Sequence, residues 1–230
     1  MIYDELVWFT PAYMIHCGIE SKKHFKEQEV KLSSDMHKAI EESFAVSVMA
    51  LGVNQLLTMQ LRVQLVDPKE RSPDLRVMYE VPMPESDKFE HKMESWDIEV
   101  VTLEGHSSEQ PDDFIKKTKF KASKSYDAKT AILCYINKDV RNGKLWRDVS
   151  TGLQSLSAPN DIFLLGKAYP NKPIYQIARV NPGFDSVLEF NVMEEAKKKY
   201  DKPGGTLFTQ ILGRKTQRKQ RSGINPFLED

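Results

Sequence analysis

WDIEVVTL, residues Trp96–Leu103, alternates as a half-buried strand does. Trp96, Ile98, Val100 and Thr102 fall on one face, and Asp97, Glu99, Val101 and Leu103 on the other. Both faces are largely apolar, so the strand belongs inside a layered fold. Yet two carboxylates stand two residues apart on the face of Val101 and Leu103. Like charges repel and burial penalises each, so a neutralising partner is expected, and a metal ion is one such partner.

Two further alternating segments precede it. MQLRVQLVD places Leu61, Val63 and Leu65 on one face. After the turn PKERSP, DLRVMYEVP places Leu75, Val77, Tyr79 and Val81 on one face and Asp74, Arg76, Met78 and Glu80 on the other. The polar stretch MPESDKFEHKMES reads as a loop before the third strand.

Upstream, Ser33, Ser34 or Asp35 can cap a helix running to about Leu57. Its apolar residues cover a broad arc, leaving a narrow stripe of Ser43, Ser47, Ala50 and Asn54, so most of its surface is expected to be buried against a sheet. On this helix Glu41 falls inside the apolar arc, between Val48 and Gly52, and Glu42 lies at the arc's other edge.

Downstream, DFIKKTKFKASKSY is a lysine-rich helix with Phe114, Ile115, Thr118, Ala122 and Tyr126 on one face. TAILCYINK is a nearly unbroken apolar strand, the pattern of burial on both sides. A helix over about Lys144–Leu156, two strands (DIFLLGKAY and IYQIARV) and a short charged helix, MEEAKKKYD, follow. The expected architecture is a mixed α/β sheet: helix, three-strand meander, helix, strand, then further strands and helices. We divide the chain into an N-terminal extension packed on the core (1–34), an α/β core (35–190), and a C-terminal helix with a basic tail (191–230).

Composition sets outer limits. The chain has 230 residues, 40% hydrophobic, with 33 basic and 33 acidic side chains. It can bury a sizeable core, and any polyanion must be bound by a segregated patch rather than a global field. Two distant cysteines, Cys17 and Cys134, read as reduced core thiols. The start MIYDELVWFTPAY lacks the basic region and long apolar run of a signal peptide, and no run of about 18 apolar residues occurs. A cytoplasmic protein without a membrane segment is expected. His16, His24, His37, His91 and His106 form no metal-binding pair, and no G-x-S-x-G, P-loop or G-x-G-x-x-G occurs.

Pro73-Asp74 opens the second strand and Asp97-Ile98-Glu99-Val100-Val101 lies on the third. With this element order, the chain resembles the restriction-endonuclease-like superfamily of PD-(D/E)xK nucleases over roughly residues 35–138. The resemblance implies phosphodiester hydrolysis by a water activated on Mg²⁺ or Mn²⁺. It implies Asp74 and Glu99 as catalytic metal ligands, with the Val100 carbonyl as a third oxygen. It implies Asp97 and Glu41 as supporting metal ligands. The family's motif lysine is replaced by Val101, which leaves three alternatives open. The register can shift, making Asp97 the metal acid with Glu99 at the lysine position. The lysine can have migrated to the following helix, as Lys119 or Lys121. Or the site can be inactive, leaving an α/β module that binds nucleic acid or a protein partner, as a monomer or homodimer.

Two basic groups suit a polyanion. Lys116, Lys117 and Lys124 lie on the second helix, and Arg214, Lys215, Arg218, Lys219 and Arg221 form the tail. A lysine-rich helix is also what an ordinary solvated face looks like.

Overall fold

The computed structural model describes residues 8–27, 34–57, 61–66, 74–81, 92–104, 110–124, 129–137, 143–156, 158, 160–169, 171–183 and 186–200. Pro73, Tyr126 and the basic residues from Arg214 to Arg221 lie outside them.

The described elements are α1 (Pro11–Glu27), α2 (Ser34–Leu57), β1 (Arg62–Leu65), β2 (Leu75–Val81), β3 (Lys92–Glu104), α3 (Pro111–Ala122), β4 (Thr130–Asn137), α4 (Lys144–Gln154), β5 (Ile162–Lys167), β6 (Ile174–Asn181), β7 (Leu188–Asn191) and α5 (Val192–Tyr200). The seven strands form one mixed sheet in sequence order. β1, β2 and β3 are antiparallel, β3, β4 and β5 run parallel, and β5, β6 and β7 are antiparallel again.

The parallel pairs need crossovers, which α3 and α4 supply. Two crossovers of one hand that advance in the same direction put their helices on the same face. That face buries Val101, Leu103, Ile132, Cys134 and Ile136 with Phe114, Trp146 and Leu153. The opposite face buries Ile98, Val100, Ala131, Leu133 and Tyr135 with residues of α1 and α2. The alternation of WDIEVVTL is therefore kept: Ile98 and Val100 face α2, while Val101 and Leu103 face α3 and α4.

Three features depart from the sequence expectation. The segment before Trp96 is not all loop, because β3 starts at Lys92. Residues 11–27 are helical, and α1 buries Met14 and Ile15 on α2's core. A seventh strand, β7, extends the sheet beyond the two late strands read from sequence.

Local chemistry explains the helices that flank the site. α3 opens with Pro111 at its first turn, and Asp112 and Asp113 follow where the helix dipole favours acids. Phe114, Thr118 and Ala122, four apart, form its buried stripe. Lys119 and Lys121 occupy its last turn, where cations are favoured.

α2 is buried nearly all round, from Phe44 through Val53. Gly52 shows how closely it presses on the sheet: a Cβ there would lie 2.7 Å from Ile177 Cγ2 and 3.0 Å from Phe190 Cε1. In an exposed helix Gly→Ala gains about 1 kcal/mol. Here overpacking of about 1–3 kcal/mol outweighs that gain. Gly52→Ala is expected to lower stability by about 1 kcal/mol, read by chemical denaturation. A stabilised variant would show that α2 sits further from β6 and β7.

Candidate functional site

The site forms where β2 and β3 part. Their ladder ends at Leu75 opposite Ile98, so one step further the register sets Asp74 against Glu99. Among the described residues β2 does not continue past that point. Asp97 donates its backbone N–H to the Lys129 carbonyl on the β4 side. Backbone directions alternate along a strand, so Ile98 and Val100 point the other way, toward β2. Asp74 satisfies this open edge by accepting the Val100 N–H at Oδ2, 2.8 Å away. An extended residue sends its N–H and C=O to the same edge, so the Val100 carbonyl shares the gap with the Asp74 carboxylate.

Glu99 is buried, at 3% exposure. A carboxylate taken out of water needs a counter-charge. Lys121, from the last turn of α3, supplies it: its ammonium donates to Glu99 Oε2 and lies 3.4 Å from Asp74 Oδ2. Two carboxylates from different strands thus converge on a single cationic centre.

A third carboxylate lies within electrostatic reach of Asp74. Glu42, at 9% exposure, comes from the N-terminal half of α2 and pairs with Lys38 one turn earlier at 3.5 Å. Burial, and then the nearby Asp74 charge, lifts its pKa from 4.5 to about 7, against opposing pulls from Lys38 and Lys121. Glu42 is thus an acid of α2 that senses Asp74 and Lys121. Glu41 is only partly buried, and its charge acts on Tyr175.

The raised Glu42 pKa gives stability a direction with pH. Below 4.5 the carboxyl is neutral in both folded and unfolded chains. Between 4.5 and about 7 the unfolded chain ionises while the folded one stays protonated, so stability falls as pH rises through that window. Glu42→Gln removes the penalty. It is expected to stabilise the protein by about 2–3 kcal/mol at pH 8 and by little at pH 4.5. Melting temperatures across that range check this; equal shifts at both pH values would refute it.

Asp97 has a different partner. In register across the sheet, Gln64, Arg76 and Asp97 form a row. Arg76 Nε donates to Asp97 Oδ1 at 2.7 Å, and its NH1 lies 3.4 Å from Gln64 Oε1. Asp97 thus shares a face with Glu99 but is held in a half-exposed ion pair. Val101 is buried in the core beneath α3. Lys119 is exposed on the other flank of α3 from Lys121, and Lys116, Lys117 and Lys124 are exposed on its outer surface.

Cys134 is fully buried beside Thr118, 3.4 Å away, and burial pushes its thiol up to about 12. That is the chemistry of a core thiol rather than a nucleophile. Among the described residues no three of His, Cys, Asp and Glu come together as a metal-binding group, and no helix is long and apolar enough to cross a membrane.

A magnesium site does not require three such ligands. Mg²⁺ keeps several waters and is commonly held by one or two carboxylates. Asp74 and Glu99, which share Lys121 as partner, are two such carboxylates.

The fold and site define a class: a mixed α/β protein with a carboxylate–lysine cluster where two antiparallel strands separate. Comparison with protein-family models, curated proteins and solved structures finds no match in any of the three.

Proposed function

We propose that the chain is a metal-dependent phosphodiesterase acting on nucleic acid, built on a restriction-endonuclease-like core. The carrying observation is the convergence of Asp74, Glu99 and Lys121, with the lysine reaching from α3 to do what Val101 cannot. The order α2, β1, β2, β3, α3, β4, with β4 parallel to β3, also fits the core that the sequence resemblance implies.

Asp74, Glu99 and the Val100 carbonyl would hold Mg²⁺ or Mn²⁺. When bound, such an ion lowers the pKa of its water and stabilises charge developing on a phosphodiester. Lys121 contacts both acids and would orient the attacking water. Asp74 has a second duty, tying its carboxylate to the Val100 N–H so that both strands keep their spacing. Glu42, titrating near neutrality, sets a proton-exchanging carboxyl beside the cluster.

A competing reading also has an observation behind it. Lys121 already contacts both Glu99 and Asp74, so the three form a structural ion triad without a metal, as they would in a non-catalytic module that binds nucleic acid or a protein partner. Calorimetric titration of Mn²⁺ into the wild type and Asp74→Ala/Glu99→Ala separates the two readings. It is paired with cleavage of labelled single- and double-stranded DNA and RNA. Metal binding and cleavage that both vanish in the variant support the nuclease. A wild type that binds no metal overturns it and leaves the module.

A further inference from the structure

The outer surface of α3 carries an unusual residue for its position. Phe120 is 68% exposed, the most exposed of the large hydrophobic side chains described. It lies opposite the buried stripe of Phe114, Thr118 and Ala122. Its neighbours one turn before and after are Lys116 and Lys124, and the Lys124 ammonium lies 5.4 Å over the Phe120 ring. From Pro111 to Lys124 the chain has five lysines against two aspartates, Asp112 and Asp113, with Lys116 near Asp113 at 3.6 Å. Lys121 turns to the acids, and the other four lysines are exposed, so in a protein that is neutral as a whole this is a segregated basic surface.

At about 100° per residue, Lys121 stands roughly a quarter turn round the helix from Phe120. The same helix therefore offers its lysine to the acids on one flank and an aromatic ring among lysines on its crest. The two are separated by about the width of one helix face.

We propose that the crest of α3 is a docking track for single-stranded nucleic acid, with one unpaired base stacked on Phe120 and flanking phosphates held by Lys116 and Lys124. This rests on the nucleic-acid reading above and specifies its substrate as unpaired strands. The chemistry favours a strand over a duplex, because paired bases keep their π-faces covered while unpaired bases expose them. It favours nucleic acid over a plain polyanion, because lysines alone would serve phosphate or sulfate and the ring would add nothing. Lys124 holds a cation at the ring, where the phosphate of a stacked nucleotide needs one.

The test is binding of fluorescein-labelled oligo(dT) to the full chain in EDTA, where hydrolysis cannot contribute, by anisotropy across a salt series. Phe120→Ala is expected to weaken binding about 5- to 100-fold without changing the salt slope, since stacking is not a counterion-release effect. Phe120→Trp is expected to bind at least as well as the wild type. Lys116→Ala/Lys124→Ala is expected to flatten the salt slope by about 1.4, the value for two phosphate contacts on a single strand. Heparin, a polyanion without bases, should bind Phe120→Ala and the wild type alike.

The proposal is overturned if Phe120→Ala binds oligo(dT) within twofold of the wild type, if heparin binding falls as far as oligo(dT) binding, or if the wild type does not bind oligo(dT). Phe120 is exposed, so the variant is expected to stay folded, and an unchanged melting temperature checks this. Because the assay needs neither metal nor turnover, the track can fail while cleavage stands, and cleavage can fail while the track stands.

Discussion

Lys121→Met is expected to lower the melting temperature by roughly 6–12 °C at neutral pH and to reduce metal-dependent cleavage at least 100-fold. The stability loss follows from what methionine leaves behind. The Glu99 side chain is 4% exposed and Asp74 20%, and the Lys121 ammonium is the cation that both acids contact. Removing one partner of a buried pair costs about 3–5 kcal/mol, chiefly because the other charge is stranded. Lys121 itself is 25% exposed, so solvent reaches the pair and the lower end, about 3 kcal/mol, applies. For a chain of this size each kcal/mol moves the melting temperature by about 2–4 °C.

The double variant Lys121→Met/Glu99→Gln separates the charge from the packing. It removes the stranded carboxylate along with the lysine, so about 2 kcal/mol should return. Lys121→Arg keeps the charge but replaces a compact ammonium with a planar fork, so stability should be partly kept while cleavage falls. Calorimetry on the four proteins decides the matter. A Lys121→Met melting point within 2 °C of wild type would mean that Glu99 finds its counter-charge elsewhere.

The sequence reveals some parts of this arrangement and hides others, for physical reasons. Strand alternation has a period of two, so the faces of Ile98 and Val100, and of Val101 and Leu103, can be read directly. The burial of TAILCYINK on both sides is equally legible, because no polar residue interrupts its core from Ala131 to Ile136. The choice between Lys119 and Lys121 is not. They lie on opposite flanks of α3, and the flank that meets the acids depends on the hand of the β3–α3–β4 crossover, which matters only once β4 is known to run parallel to β3.

Glu41 and Glu42 are hard to separate for another reason. α2 is buried on nearly every side, so hydrophobicity does not fix its rotational phase, and a neighbouring acid is easily taken for the inward one. The spacing of Lys38 and Glu42, four apart, was the local hint that Glu42 keeps company with charge. Helix α1 is not legible because its polar second half reads as solvated surface, although Ala12, Met14 and Ile15 anchor its first half. Asp97 looks like Glu99 in sequence, and only the cross-strand register reveals Arg76 opposite it.

That register also sets the sharpest test of the catalytic reading. Asp74→Asn and Glu99→Gln are each expected to leave stability within about 1 kcal/mol of wild type while reducing metal-dependent cleavage by about 100- to 1000-fold. Asparagine at position 74 keeps an oxygen that can accept the Val100 N–H, so the open edge of β3 stays satisfied. Glutamine at position 99 removes a buried charge without changing shape, leaving Lys121 with Asp74 and Glu42 as nearby acids. Neither amide carries the negative charge that a divalent cation requires. An ion that contributes several kcal/mol to the transition state is worth two to three decades of rate or more, at about 1.4 kcal/mol per decade. Asp74→Ala differs from Asp74→Asn in removing the edge acceptor as well, so it should lose a further 1–3 kcal/mol of stability, about the cost of an unsatisfied backbone donor. A structural ion triad predicts the same stabilities, because the contacts are the same, but no metal-dependent cleavage to lose. Parallel calorimetry and cleavage on these three variants therefore distinguish a site that holds a metal from a triad that holds two strands together.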